Sequence, residues 1–359
     1  MRISIVLGTR PEIIKMSPIV RECKRLGLEF FILHTGQHYS YNMDQAFFEQ
    51  LELPVADYNL ETGPGTHAEQ TGRMLIGIEK ALLKEQPHVV LVEGDTNSTL
   101  AGALAATKVH IKVGHIEAGL RSYDRNMPEE VNRILVDHCS DYLFAPTEKA
   151  KRILLSEGLA KTKIFLTGNT IVDAVQQNFE LSKQKETIIK KLDVSKGKYF
   201  LVTVHRQENV DDKNRFQRII EGLETVRSEF DYPMIYPIHP RAKKRLNMLK
   251  MEPADLRLID PLDYLSFLQL EGNSRLVLTD SGGVQEEACI LRVPCVTLRD
   301  NTERPETLDV GSNMLAGTNP KEIIEKTRLM LRRSNDWRNP FGNGTAGLKI
   351  VDITKRKLE

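Results

Sequence analysis

Arg275-Leu276-Val277-Leu278-Thr279-Asp280-Ser281-Gly282-Gly283-Val284-Gln285-Glu286-Glu287 reads as strand, turn and helix. The apolar run up to Thr279 fits a buried strand, and Val284 to Leu291 opens a helix. Between them, Ser281-Gly282-Gly283 offers backbone N–H groups that glycine leaves open to close approach. The partial positive charge of the helix N-terminus adds to this, so the turn suits an anion such as phosphate. Glu287, one turn into the helix, can accept from a pair of ribose hydroxyls. An ordinary strand-to-helix turn with an acidic first turn would carry the same residues, so the choice rests with the remainder of the chain.

Working outward, the same unit recurs. Strands are predicted at Ile3 to Leu7, Glu29 to His34, Val89 to Glu93, Lys112 to His115 and Tyr142 to Ala145. Helices are predicted at Pro11 to Leu26, Ala68 to Lys84, Asn97 to Lys108 and Glu129 to Cys139. The Ala- and Gly-rich helix after Asn97 would pack closely on a sheet. A boundary is expected near Thr167-Gly168-Asn169, closing a first domain of residues 1–168. A charged helical stretch, Ile171 to Leu192, leads into a second series, with strands at Tyr199 to Val204, Met234 to Ile238, Leu256 to Ile259, Leu276 to Thr279 and Cys295 to Leu298. Pro320 to Arg333 is a further helix. Strand alternating with helix predicts an α/β protein of two Rossmann-like domains with a cleft between them. In such sheets ligands bind outside the carboxyl ends of the strands.

Bulk properties exclude several classes. Of 359 residues, Lys and Arg number 50 and Asp and Glu 49, so no global charge draws the chain to nucleic acid or to a membrane. No apolar run reaches membrane-spanning length, and Met1 leads directly into strand-like sequence, so a soluble, cytoplasmic protein is expected. Cys23, Cys139, Cys289 and Cys295 form no CxxC pair and read as buried free thiols. There is no GxxxxGK[ST] and no HExxH, and Gly8-Thr9-Arg10 lacks the GxGxxG pattern. No metal and no cofactor is therefore predicted.

Polar residues gather at the predicted strand ends. They include Gly8-Thr9-Arg10-Pro11-Glu12, Glu93-Gly94-Asp95-Thr96, His115-Ile116-Glu117-Ala118-Gly119, His205-Arg206-Gln207-Glu208-Asn209, His239-Pro240-Arg241 and Arg299 to Glu306. Such a rim suits an anion and several carboxylates. Arg10 and Lys15 can contact an anion or a base. Asp95 and Glu117 are acidic residues in strand-end positions that disfavour them without a task. Glu129 and Glu130 open a helix, where the dipole favours acids in any case. A carboxylate cluster in a closed site would spread its pKa values into a proton donor and an acceptor. His205 can serve as acid, as base or as phosphate partner.

Together these segments, with Gly36-Gln37-His38, Leu120-Arg121 and Pro128 to Arg133, resemble the non-hydrolysing UDP-N-acetylglucosamine 2-epimerases. The resemblance runs from the first residues to about Asn343-Gly344. It implies a glycosyltransferase-B-like fold, with residues 169–345 as the UDP-binding domain and 346–359 as a C-terminal helix crossing back to the first. It implies a homodimer that interconverts UDP-N-acetylglucosamine and UDP-N-acetylmannosamine without metal or redox cofactor, by eliminating UDP and adding it back. Carried over, Ser281, Gly282 and Gly283 hold the diphosphate and Glu287 the ribose. Arg10 and the segment Leu262 to Phe267 bracket the uracil. Lys15, His205 and Arg304 line the phosphate and sugar, and Asp95, Glu117 and Glu129 are acid/base carboxylates, with Arg133 orienting them. Gln37, His38, Arg206 and His239 match positions where many members bind a second, activating UDP-N-acetylglucosamine, although Tyr39-Ser40-Tyr41 departs from the usual Arg and Gln nearby. The rival enzyme readings are a transferase of the same fold and a hydrolysing epimerase. A nucleotide-sugar sensor would need only the UDP contacts.

Overall fold

The computed structural model describes residues 1–36, 41–184 and 187–359. The chain forms two compact units, Met1–Ala174 together with Phe341–Glu359, and Val175–Pro340. The division falls inside a helix, six residues beyond the expected Gly168.

The first unit runs β1 (Arg2–Leu7), α1 (Arg10–Arg25), β2 (Glu29–His34), α2 (Tyr41–Gln50), β3 (Tyr58–Asn59), α3 (His67–Glu85), β4 (Val89–Glu93), α4 (Asn97–Lys108), β5 (Lys112–Ile116), α5 (Pro128–Cys139), β6 (Tyr142–Ala145), α6 (Glu148–Ser156) and β7 (Ile164–Leu166). It ends in the first residues of α7 (Thr170–Ser182). The sheet order is β3-β2-β1-β4-β5-β6-β7, and every pairing is parallel. Parallel strands covered on both faces must be apolar throughout, and β4 is buried along its whole length. α4 approaches the sheet because it carries glycine: a Cβ on Gly102 would lie 3.0 Å from Val92 and 3.1 Å from Val6.

The second unit continues with α8 (Ile188–Lys191), β8 (Phe200–Thr203), α9 (Gln207–Val210), α10 (Lys213–Phe230), β9 (Met234–Pro237), α11 (Pro240–Leu249), β10 (Leu256–Ile259), α12 (Tyr264–Gly272), β11 (Leu276–Thr279), α13 (Gly282–Ile290), β12 (Cys295–Thr297), α14 (Pro305–Asp309), β13 (Asn313–Leu315) and α15 (Pro320–Arg332). Its parallel sheet has the order β10-β9-β8-β11-β12-β13. One face is packed by Phe200, Phe216, Ile220 and Ile323, the other by Tyr199, Leu201, Ile235 and Leu270. The two Rossmann-like sheets of the expected fold class are thus present. The predicted helix Ile171 to Leu192 is instead two helices, α7 and α8.

The last helix, α16 (Ala346–Leu358), returns to the first unit. Asp173 caps it, accepting from the N–H groups of Ala346 (3.1 Å) and Gly347 (2.9 Å). Gly347 lets the helix settle on Pro18 of α1, since a Cβ there would lie 2.9 Å from the proline ring. Beside this contact the Asn169 N–H donates to the Phe341 carbonyl at 2.9 Å. Of the four free cysteines, three are buried and Cys139 is half-buried, short of the burial expected for all four.

In both sheets the strand order reverses beside the first strand of the unit, at β1/β4 and at β8/β11. Loops leaving neighbouring strands diverge there, which opens a crevice at their carboxyl ends.

Candidate functional site

In the first unit the loops after β1, β4 and β5 meet through Glu12 and Lys15. Glu12, in the first turn of α1, is buried and accepts from the Gly8 N–H (3.0 Å) and from the hydroxyls of Thr9 (2.8 Å), Thr96 (2.7 Å) and Thr99 (3.1 Å). It ties the β1 loop to the start of α4. One turn on, Lys15 Nζ lies 2.7 Å from Glu117 Oε2 and 3.1 Å from Glu93 Oε1. The other Glu117 oxygen accepts from Asn169 at 2.9 Å. Glu117 has φ +69°, a left-handed backbone that costs a non-glycine residue about 1 kcal/mol. Lys15 and Asn169 hold that strained residue in place. Burial, opposed by Lys15 and reinforced by Glu117 and Glu12, pushes Glu93 well above the ordinary glutamate range. Glu93 ends β4 inside an apolar run, so the sequence alone presents it as a strand terminus.

Asp95 pairs with Arg133, whose second nitrogen donates to Glu130 at 3.0 Å. Glu130 also accepts from the N–H groups of Ser122 (2.9 Å) and Tyr123 (3.0 Å). Burial opposes its ionisation, but these donors and Arg133 outweigh burial and hold Glu130 below the usual range. Glu130 is thus committed to the loop ahead of α5, whereas its neighbour Glu129 is exposed. A second lock lies behind the β5 loop. His115 bridges Asp137 (2.7 Å) and the Gly94 carbonyl (2.9 Å), and Asp137 also meets Arg121 at 2.7 Å and the Gly119 N–H at 3.1 Å. The Arg10 guanidinium lies over the Phe47 ring, 5.5 Å from its centre.

In the second unit the organising residue is Asp280, at the end of β11. It is buried and accepts from the N–H groups of His205 (3.1 Å) and Arg206 (2.9 Å) and from the Asn209 amide (3.1 Å). Burial opposes its charge, but the bonds from His205, Arg206 and Asn209 prevail and hold it below the ordinary aspartate value. Its contact with His205 Nδ1 at 3.2 Å orients that ring. The His239 ring lies 5.9 Å from His205, centre to centre. Burial first, then His205 and Arg241, lower the His239 pKa.

Ser281 is the N-cap of α13, and its side chain makes no bond to its own helix. Gly282 and Gly283 form the first turn without positive φ. What they contribute is space: a Cβ on Gly283 would meet only Ser281 Oγ, at 3.9 Å. Arg304 Nε reaches Glu286 at 3.2 Å, and Arg299 grips Glu303 and Glu208. Arg299 depresses the Glu303 pKa to about 2. Leu262 and Phe267 pack at the edge of the apolar cluster that includes Leu270. Glu287 accepts from the Tyr264 hydroxyl at 3.2 Å and lies next to Glu271, a residue the sequence reading passed over.

The structure therefore groups Lys15 with Glu117, Asp95 with Arg133, and His205, Arg206 and His239 around the β8 end. Gln37 and His38 lie outside the described residues. Among the described residues no group of three or more His, Cys, Asp or Glu side chains is arranged to hold a metal ion, and no helix is long and apolar enough to cross a membrane.

The UDP-N-acetylglucosamine 2-epimerase family model matches residues 21–355. A curated UDP-N-acetylglucosamine 2-epimerase of Methanocaldococcus jannaschii is 56% identical over 360 residues, with 98% of each chain covered. The structure of UDP-GlcNAc 2-epimerase from that organism superposes with a TM-score of 0.91 at 54% identity, covering 99% of this chain and 100% of that one. A crystal structure of the Methanocaldococcus jannaschii enzyme in complex with UDP-GlcNAc and UDP gives a TM-score of 0.85 at 55% identity, with 99% and 100% covered.

Proposed function

The chain belongs to the UDP-N-acetylglucosamine 2-epimerase family, and on that premise we propose that it interconverts UDP-N-acetylglucosamine and UDP-N-acetylmannosamine without net hydrolysis. The observation that carries this reading is the near full-length likeness to a relative crystallised with UDP-GlcNAc and UDP. The carboxylates of the first unit support it further, since nucleotide binding alone has no use for Asp95, Glu117 and Glu129.

The chemistry follows from the substrate. The C2 hydrogen is not next to a carbonyl, so a base alone removes it poorly. Departure of UDP from C1 builds positive charge at C1 and acidifies C2–H. Anti elimination then breaks C1–O and C2–H, leaving UDP and a 2-acetamidoglucal. Addition of UDP to C1, with a proton delivered to the other face of C2, gives the epimer. One group must take a proton and another give one, and the site must exclude water from the intermediate.

Ser281, Gly282 and Gly283 receive the diphosphate, where the α13 N-terminus offsets the charge of the leaving group. Glu287 accepts from the ribose. Arg10, Leu262 and Phe267 contact the uracil, and Lys15, His205 and Arg304 the phosphate and sugar. Asp95, Glu117 and Glu129 are the acid and base groups, with Arg133 orienting Asp95 through its ion pair. The commitment of Glu130 to the loop supports Glu129 as the carboxylate of its pair that meets the sugar. Arg206 and His239, with Gln37 and His38, would take a second nucleotide sugar as activator. The active species is a cytoplasmic homodimer.

Proton NMR of the purified chain with UDP-N-acetylglucosamine in D2O tests this. The expected result is UDP-N-acetylmannosamine deuterated at C2, with little free UDP. Accumulating UDP and free sugar would identify the hydrolysing reaction instead. No change at any substrate concentration would remove the epimerase reading in favour of a binding protein or a transferase lacking its acceptor.

A further inference from the structure

Glu271, near the end of α12, is wholly buried, and neither of its oxygens finds a hydrogen-bond donor as an ionised group. Its partner is Glu287 of α13, also buried and already accepting from Tyr264. The charged and titratable groups facing the pair are Tyr264 from α12, Glu286 from α13, Tyr199 ahead of β8 and Cys295 from β12. None of these is a cation. Two adjacent carboxylates without a counterion cannot both ionise, so a proton must lie between them. If Glu271 carries it, Glu271 becomes a donor and Glu287 its acceptor, and the orphaned oxygens of Glu271 are explained.

We infer that Glu271 is a positioning residue for the nucleotide: it keeps a proton, donates it to Glu287, and leaves the Glu287 carboxylate fixed as the acceptor for the ribose hydroxyls. The inference rests on the role given to Glu287 above. The directions of titration agree with it. Burial, and then the charge of Glu287, hold Glu271 well above the ordinary range. Burial lifts Glu287 only to about 7, with Tyr264 and Glu271 as donors pulling it back. Glu271 touches the ligand only through Glu287.

The test measures the affinity of the full chain for UDP against 2′,3′-dideoxy-UDP, a ratio from which the phosphate contribution cancels. In the wild type the ratio favours UDP. Glu271→Gln keeps a donor and should preserve it. Glu271→Leu removes the donor, fills the space, and should reduce the ratio about tenfold, the worth of one bond to a charged group. Infrared spectra at neutral pH should show a protonated-carboxyl band that Glu271→Gln reduces. A Leu variant with the wild-type ratio, or an unchanged band, overturns the inference while leaving the ribose role intact. A wild type that binds both nucleotides equally removes the ribose role of Glu287, and the inference with it.

Discussion

The two units each bury a pair of glutamates beside a parallel sheet, and the groups around the two pairs differ. In the first, Lys15 lies between Glu117 and Glu93, at 2.7 and 3.1 Å. In the second, the described groups that face Glu271 and Glu287 include no cation, and on the inference above a proton does the work of the lysine. The difference teaches what each carboxylate is suited for. The ammonium of Lys15 favours the ionised form of the carboxylates it touches, which suits a group that must act on a C–H bond. A glutamate held by a proton has its charge set by solution pH, which is tolerable where it only receives hydroxyl donors.

Removing the lysine should break the comparison most severely. Lys15→Met leaves buried carboxylates without their cation and should cost about 3 kcal/mol in denaturant unfolding, together with loss of turnover. Adding Glu93→Gln should recover part of that stability, because one acid fewer remains to be compensated. A Lys15→Met variant as stable as wild type would show that the first unit, like the second, can rely on protons.

A smaller effect, about 2 kcal/mol, concerns the pH dependence of the second unit. The Glu287 pKa is raised in the folded protein, to about 7. The folded state therefore binds more protons than the unfolded chain between the ordinary glutamate value and that point. Stability must fall as pH rises through this window and level off above it. Glu287→Gln should remove its share of the decline in stability measured from pH 5 to 8. Asp280, depressed by its donors, acts in the opposite sense: its contribution is present above the ordinary aspartate value and lost as pH falls through its lower folded value. A rise of stability with pH across the neutral range would contradict the charge assignment for Glu287.

The smallest effect sharpens the picture inside the first unit. Glu130→Gln weakens the bonds to Ser122, Tyr123 and Arg133 and should cost about 1 kcal/mol. Glu129→Gln, at an exposed position, should alter stability by less than about 0.5 kcal/mol yet abolish epimerisation. Thermal scans of the two variants beside turnover assays separate these roles.

Legibility in the sequence followed how local each signal was. β2, β4, β6 and β11 have the predicted bounds because interior runs such as Val89-Val90-Leu91-Val92 are buried and declare it. β3, β7 and β13, absent from the prediction, are edge strands of two or three residues. An edge strand satisfies one neighbour only and needs little pattern of its own. Strand-end residues such as Asp95, Glu117 and His205 stood out because charge interrupts apolar periodicity there. Glu271 did not, because Leu268-Gln269-Leu270-Glu271 looks like a helix ending in solvent, and its partner is on the next helix. The pairing of Glu130 with the loop at Ser122 was equally hidden: only the folded turn shows which of two adjacent glutamates is already occupied.

The return of α16 to Pro18 makes the second unit a guest spliced into the first, with its entry and exit strands stitched together by the bond between Asn169 and Phe341. During synthesis α16 leaves the ribosome only after the whole of the guest has been made. Until then the Pro18 face of α1 waits uncovered and Asp173 has no helix to cap. The host is thus the first unit begun and the last finished, and damage at the distal helix would be read out at the opposite end of the gene.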